Sequence, residues 1–355
     1  MVQLLPELSE GGVERGVVEM NRELVKCGIE SYVISAGGKL AAKIEQEGGK
    51  HITFDVCSKN PLTAPLRIAG LKKIFASIKP DIIHARSRVP AWLSYFAKGA
   101  TPFVTTVHGF NSVNFYSAVM TKGDRVICVS NPIKEYILRH YNVDASKIRV
   151  IHRGVDLELF DPAKVDRAFM EEFKKRYNLA NRFIVSSVGR ITPLKSYETF
   201  IEAIDTARRE RPEVVGLIVG GVRSDKRGYY EQLQALVHSK GLEEHIIFTG
   251  SVAKVAEVYA LSDVVVSSSK KPESFGRSIA EAMAMGTPVI ATAHGGALDI
   301  VKEGYGELFS VGDAKELAQK ILTVQPREDL REYVKKNFSL QQMVEKTIAV
   351  YKELV

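Results

Sequence analysis

Cysteine and tryptophan are scarce in this 355-residue chain, with three of the first and one of the second. Cys27, Cys57 and Cys128 are far apart and in mostly apolar sequence surroundings. They form neither a disulfide framework nor a metal-ligand spacing, and are expected to be reduced core thiols in a cytosolic protein. No apolar run approaches the ~18–20 residues of a membrane-spanning helix. The opening Met1-Val2-Gln3-Leu4-Leu5-Pro6 lacks both a basic segment and a long apolar core, so no secretory signal is expected. There is no internal repeat and no low-complexity segment. No G-x-G-x-x-G is followed by an acidic residue after the next strand, which removes the strongest sign of a dinucleotide oxidoreductase. Acidic charge is short in one half only. Residues 1–160 hold 21 Lys and Arg against 15 Asp and Glu, net +6, whereas residues 161–355 hold 28 against 27, net +1. Such a bias suits an anionic lipid surface, a phosphorylated glycan or nucleic acid, or is simply a solvated basic face. No recognition helix or aromatic stacking series favours nucleic acid.

The length suits two domains better than one core. Hydrophobic content of 45% with 26% charged residues is ordinary for a globular chain. Short β-branched runs alternate with helical stretches throughout. In the first half, strands are expected at 2–5, 32–35, 52–55, 81–85, 103–107 and 125–130. Helices are expected after Arg15 to about Lys26 and at 40–47, 66–79, 90–98, 113–120 and 132–141. Further strands are expected at 183–188, 214–219, 246–249 and 264–268. This alternation predicts an α/β protein with doubly wound parallel sheets, in which ligands bind at the carboxyl ends of the strands. The expected division is 1–160, then 161–338, then a helix in 339–355. The segment up to about Asn181 reads as a linker.

One stretch organises the rest, residues 264–296, VVVSSSKKPESFGRSIAEAMAMGTPVIATAHGG. A buried strand, a polar loop, a helix ended by Gly286 and a second strand form one unit of a parallel sheet. Between Ile279 and Met285 the helix is apolar except for Glu281, so it is expected to be buried on every side. A carboxylate there needs hydrogen bonds or costs several kcal/mol. A vicinal diol such as that of a ribose would supply two donors; an Arg or Lys of the protein would serve as well. Glu273 lies eight residues earlier, in the loop, and could meet a second group of the same ligand. The backbone near Ser274, Phe275 and Gly276 leads into the helix N-terminus, which attracts phosphate.

Other polar residues fall at predicted strand ends. Gly11 and Gly12 follow the first strand and allow close backbone approach. Arg86 and Arg88 bracket Ser87 just before Trp92, as candidate acceptor contacts or a solvated face. His108 precedes Gly109 after another strand. Gly189-Arg190 and Lys195 open the second domain, and two cations five residues apart at a strand mouth can clamp a diphosphate. Gly220-Gly221 close a further strand.

Glu273-x7-Glu281, with Ser274-Phe275-Gly276 and Ala280-Glu281-Ala282-Met283-Ala284-Met285-Gly286-Thr287-Pro288-Val289, resembles the E-x7-E signature of family-four retaining glycosyltransferases. The likeness extends along nearly the whole chain. Gly11-Gly12 resembles the family's GG loop, His108 its histidine at the donor sugar, Arg190-x4-Lys195 its G-R-x4-K-G, and Gly220-Gly221 its later glycine pair. The chain departs in two places: Ser196 replaces a glycine, and His152-Arg153 stand where many members have Pro-Asn before Gly-Val-Asp.

The resemblance implies the GT-B fold, two Rossmann-like domains facing a cleft, with the terminal helix crossing back onto the first. It also implies retaining transfer from a UDP-, GDP- or ADP-sugar to an acceptor hydroxyl. Glu281 would bind the ribose, Arg190 and Lys195 the diphosphate, and Glu273 and His108 the sugar. Gly11, Gly12, Gly189, Gly220, Ser274, Phe275 and Gly276 would shape the donor site. No cofactor is expected. No Asp-x-Asp occurs, so no metal is expected, and the cations with the helix N-termini would neutralise the leaving diphosphate. The expected partners are the nucleotide sugar, a cell-envelope glycan or glycolipid such as lipopolysaccharide core, and an anionic membrane at whose inner face the protein would lie. Rival readings are a nucleotide-sugar epimerase, a DNA glucosyltransferase and a non-catalytic nucleotide-sugar sensor.

Overall fold

A computed structural model describes residues 1–9 and 11–355. Two compact units emerge, Met1–Gly154 with Leu340–Val355, and Val155–Ser339.

In the first unit, seven strands run β1 (Val2–Leu4), β2 (Tyr32–Ser35), β3 (Lys50–Thr53), β4 (Ile83–Ala85), β5 (Phe103–Val107), β6 (Arg125–Cys128) and β7 (Ile148–Val150). Their order in the sheet is β3-β2-β1-β4-β5-β6-β7, and every pairing is parallel. The second unit repeats the plan with β8 (Phe183–Val188), β9 (Val214–Val219), β10 (Ile246–Gly250), β11 (Val264–Ser267), β12 (Val289–Thr292) and β13 (Glu307–Phe309). There the order is β10-β9-β8-β11-β12-β13, again all parallel. Helices cover both faces of such sheets, so the central strands are apolar along their length; Val214–Val219 is buried at every residue. The direction of winding reverses between β1 and β4 in one unit and between β8 and β11 in the other. These are the switch points where open parallel sheets bind ligands. The loops after β1, β4, β8 and β11 carry Gly11-Gly12, Arg86-Arg88, Gly189-Lys195 and Glu273 respectively.

The helix Leu340–Lys352 belongs to the first unit. Its Met343, Val344, Val350 and Tyr351 close a buried cluster with Met20, Leu24, Ile82, Val104, Ile127 and Ile151. Burying each such side chain contributes ~1.5–3 kcal/mol.

Several expectations need correction. The stretch taken for linker contains the helix Arg167–Arg176, capped by the Asp166 side chain, which accepts from Phe169 N–H at 3.0 Å. The helix of the organising stretch, Arg277–Ala284, is not buried all round. Ile279, Ala280, Ala282, Met283 and Ala284 face the core, while Arg277, Ser278 and Glu281 form a half-buried polar stripe. Cys27 and Cys57 are exposed, and only Cys128 is a core thiol. There burial pushes its pKa up to about 12.

Candidate active site

In the second unit, Lys195 and Glu273 meet. Lys195 Nζ donates to Glu273 Oε1 at 2.7 Å, and the hydroxyls of Ser267 and Ser269 donate to the same oxygen at 2.9 and 2.5 Å. Burial alone would push the Glu273 carboxyl up. The Lys195 charge and the hydrogen bonds from Lys195 and the two serines together outweigh it and hold it at about 2. Glu273 is therefore a fixed carboxylate. Its loop is clamped from below by the turn that follows β12. His294 Nε2 donates to Ser269 O at 2.8 Å, Thr292 Oγ1 donates to the same carbonyl at 3.0 Å, and Gly296 N–H donates to Glu273 O at 2.7 Å. Gly295 has φ +58°, and a Cβ on it would lie 2.5 Å from Glu273 O. A side chain there would push the loop, and Glu273 with it, out of place.

Lys195 reaches Glu273 by crossing Gly189, where a Cβ would stand 2.8 Å from its Cε. Gly220 is required by packing: its Cβ would come within 1.9 Å of Gly189 O. That oxygen also accepts from Tyr197 OH at 2.8 Å. Arg190 is exposed and has no ion-pair partner among the described residues. The two expected clamp residues thus stand differently, one engaged with Glu273 and one in solvent. Ser196 has φ +48°, left-handed backbone, which accounts for the glycine that the resembling family has here. Its hydroxyl lies 3.0 Å from Thr199 Oγ1, and its carbonyl accepts from Ser268 Oγ at 3.2 Å.

Glu281 has both oxygens engaged. Arg277 Nε, one turn earlier, donates to Oε1 at 3.2 Å, and Tyr259 OH donates to Oε2 at 3.0 Å. Phe275 is core, its ring 5.8 Å from that of Phe338, and its backbone packs against Gly296. Gly276, with φ +107°, starts the helix. Ser274 is half-buried beside it.

In the first unit a pocket of about 250 Å³ opens at the strand ends, lined among others by Glu14, Arg86, Arg88, Thr106, His108 and Asn111. His108 Nδ1 lies 3.2 Å from Arg153 Nη1. A guanidinium only donates, so Nδ1 accepts and the proton sits on Nε2. Nε2 is buried without a hydrogen-bond partner among the described residues. Burial, then the charges of Arg153 and Arg86, hold this imidazole's pKa well below its ordinary value. His108 is a neutral ring presenting one unused N–H. Arg153 also donates to Gly12 O, tying the paired-glycine loop to His108. Gly16 makes room for it: a Cβ there would lie 2.2 Å from Nη2. Gly11 likewise lies under the Glu14 carboxylate, 2.3 Å from its Cβ position. His84, fully buried, lies 2.6 Å from Thr106 Oγ1 and 2.6 Å from Tyr351 OH of the terminal helix. Arg86 Nη1 donates to Thr106 Oγ1 at 3.3 Å. Arg88 donates to Ser117 Oγ at 3.3 Å and lies 5.3 Å over the ring of Tyr116.

The sequence reading missed Ser267, Ser269, Tyr259, Arg277 and the part played by Arg153. Only Arg277 carried a signal, four residues before Glu281 on one helix face. Among the described residues no group of three His, Cys, Asp or Glu is placed to hold a metal ion.

Comparison with known proteins fits this arrangement. Residues 10–159 match the model described as Glycosyltransferase Family 4, and residues 169–340 that of Glycosyl transferases group 1. A D-inositol 3-phosphate glycosyltransferase of Mycolicibacterium smegmatis is 29% identical over 303 residues, 78% of this chain and 68% of that protein. The crystal structure of Anabaena HepE with UDP and glucose is 23% identical, aligns over 99% of both chains and has a TM-score of 0.83, which shows the fold. A glycosyltransferase from Rickettsia africae ESF-5 is 32% identical over 99% of this chain and 97% of its own, with a TM-score of 0.90. With both family models matched in tandem and a relative this similar from end to end, the chain belongs to glycosyltransferase family 4 and has the GT-B fold of two Rossmann-like units.

Proposed function

We infer that this glycosyltransferase moves a sugar from a nucleoside-diphosphate sugar to an acceptor hydroxyl, with retention of configuration and without a metal. The observation that carries the reading is Glu273 held as a carboxylate by Lys195, Ser267 and Ser269 at the switch point of the second unit. A carboxylate so fixed can accept hydrogen bonds from sugar hydroxyls with no cost of reorganisation. Lys195 and the exposed Arg190 supply the positive charge for the departing diphosphate. Glu281 would take the ribose diol, its two oxygens exchanging Tyr259 and Arg277 for ligand hydroxyls. His108 would donate its Nε2–H to the transferred sugar. No side chain stands out as a nucleophile, which suits deprotonation of the acceptor by the departing phosphate itself.

The acceptor in this reading is an envelope glycan or glycolipid met at an anionic membrane face. The net +6 of residues 1–160 supports it. So do the exposed Leu62, Leu66, Phe96 and Phe115 of the first unit, with Trp92 stacked on Phe96. Co-sedimentation with vesicles should rise with anionic lipid and fall with salt. Binding indifferent to both rejects the membrane part.

The decisive test is thermal stabilisation by UDP-, GDP- and ADP-sugars, followed by turnover in excess EDTA. A matched donor at 100 times its Kd adds about 2.7 kcal/mol. Turnover that EDTA abolishes and manganese restores would overturn metal independence. Binding without turnover on any acceptor would leave a sensor, and turnover yielding a new nucleotide sugar would show an epimerase.

A further inference from the structure

Arg86 is unusual among the buried arginines. It is 9% exposed, and its guanidinium makes one hydrogen bond, 3.3 Å long, to a neutral hydroxyl. Its Nε is buried with no partner among the described residues. No carboxylate among the described residues lies within ion-pairing distance of it.

Other buried arginines are served. Arg67, equally hidden, donates to Ser58 O at 2.7 Å and Asn60 O at 2.8 Å, with Asp55 at 3.9 Å. Arg153, as hidden as Arg86, donates to Gly12 O and to His108 Nδ1. An arginine stays protonated, so Arg86 is a buried charge with almost no compensation, which ordinarily costs several kcal/mol. Its neighbours do not relieve it. His84 and His108 are held neutral by burial, and Thr106 carries no charge. Among the described residues Glu14 is the one carboxylate lining the pocket, and it is folded over Gly11.

Arg88 lines the same pocket and is anchored in place by Ser117 and Tyr116. Between Val56 and Gly123 the chain has nine Lys and Arg and a single acidic residue, Asp81.

We propose that the first-unit pocket binds a compact oxyanion, a phosphate or carboxylate carried by the acceptor itself, through Arg86 and Arg88. This rests on the glycosyl-transfer reading above and narrows it: the acceptor is an anion-bearing hydroxyl compound. Arg86, preset by Thr106, is the deep contact, and Arg88 the contact at the mouth. His108 lines the same pocket, so the anion would hold the acceptor beside its ring. Electrostatic selection of this kind favours a charged acceptor over its neutral analogue by leaving the buried guanidinium unpaired with the latter.

Trp92 reports on the site, because its Nε1 donates to Tyr116 O at 2.9 Å and Tyr116 lies under Arg88. Inorganic phosphate, then acetate, is titrated into the full chain at constant ionic strength set with chloride, following Trp92 emission. A saturable response to phosphate or acetate is expected, and the stronger of the two identifies the oxyanion. Arg88→Gln should weaken it roughly tenfold, the loss of one charge-assisted bond, and Arg86→Lys should weaken it while keeping the charge. Arg190→Ala and Lys195→Ala should leave it intact.

No saturable response, or a response lost in Arg190→Ala and kept in Arg88→Gln, overturns the proposal. Arg88 is half-buried, so its variant tests the site even where substituting Arg86 prevents folding. Calorimetry with UDP, GDP and ADP on the same samples separates the two readings. If none binds while phosphate still does, the donor assignment falls and the oxyanion site stands.

Discussion

The two units share a strand order and a switch point but handle charge in opposite ways. In the second, each important carboxylate has its donors in place: Glu273 has three on one oxygen, and Glu281 has Arg277 and Tyr259. In the first, the charged groups at the strand ends are arginines, and the histidines among them are neutral. The second unit compensates its carboxylates from within, while Arg86 of the first has no carboxylate beside it among the described residues. Fold and chemistry are therefore set by different residues. The β-branched strands and helix faces repeat the architecture, while a few loop side chains decide which charge each unit presents.

The largest effect that would test this contrast is expected at the compensated pair. Lys195→Ala should lower kcat by on the order of a hundredfold or more, as losing one preorganised donor costs about 2.7–4 kcal/mol of barrier. It also strands Glu273 as an unpaired, mostly buried carboxylate, so urea denaturation should show a loss of roughly 3 kcal/mol. Lys195→Met with Glu273→Gln should recover much of that stability and none of the kcat. Full kcat in Lys195→Ala would show that the pair is structural only.

Arg153→Ala comes next. It removes the donor that fixes the tautomer of His108 and the tie to Gly12, and should cost about 2–3 kcal/mol of stability together with a fall in kcat. Arg153→Lys should restore stability better than turnover, since an ammonium cannot serve both acceptors with the guanidinium's geometry. Equal recovery of both would mean that His108 does not depend on its tautomer.

The units should also part in acid. His84 and His108 have folded pKa values well below 6.5, so the unfolded chain takes up protons first. Their neutral burial is fully compatible with stability above pH 6.5 and becomes a penalty as pH falls below it. Glu273, at about 2 when folded against 4.5 ordinarily, contributes stability above pH 4.5 and loses it as pH falls toward 2. Trp92 lies in the first unit, so its emission should change in a transition at higher pH than the loss of the remaining far-ultraviolet ellipticity. Coincident transitions would show that the units lose structure together.

The smallest effect concerns Ser196. Left-handed backbone disfavours any Cβ by ~1 kcal/mol, whereas the hydroxyl contact with Thr199 offsets part of that. Ser196→Ala keeps the strain and loses the contact; Ser196→Gly loses both. The glycine variant should therefore exceed the alanine variant by about 1 kcal/mol in stability, and equal melting temperatures would mean the backbone turn is unstrained.

The sequence made much of this legible. The E-x7-E spacing, the strand ends and the positions of His108, Arg190 and Lys195 follow from local pattern. The β7 and β13 strands were not legible, because they are short, half-exposed strands at the sheet edges and lack the apolar run of the central ones. The helix Arg167–Arg176 was hidden by its charge, although Asp166 at its start and Phe169 and Phe173 on one face were readable signs. Ser267 and Ser269 look like any polar loop until the chain folds them onto Glu273. Gly220, expected at the donor site, has a packing role that no local pattern announces, where β8 and β9 end against each other. Pairings such as Tyr259 with Glu281 join residues 22 apart in sequence, and no periodicity announces them.

The terminal helix has a consequence for how the protein comes into being. Its Tyr351 completes the contacts of His84, and its apolar side lids the cluster formed by Met20, Leu24, Ile82 and Ile127. On a ribosome the first 154 residues emerge long before residues 340–355, with that cluster open to solvent. Domains emerging early usually fold as they appear. This one stays unfinished through synthesis of the entire second unit and closes only once residues 340–355 are made, so a product stalled or truncated before them would expose a sticky face that the folded enzyme never shows.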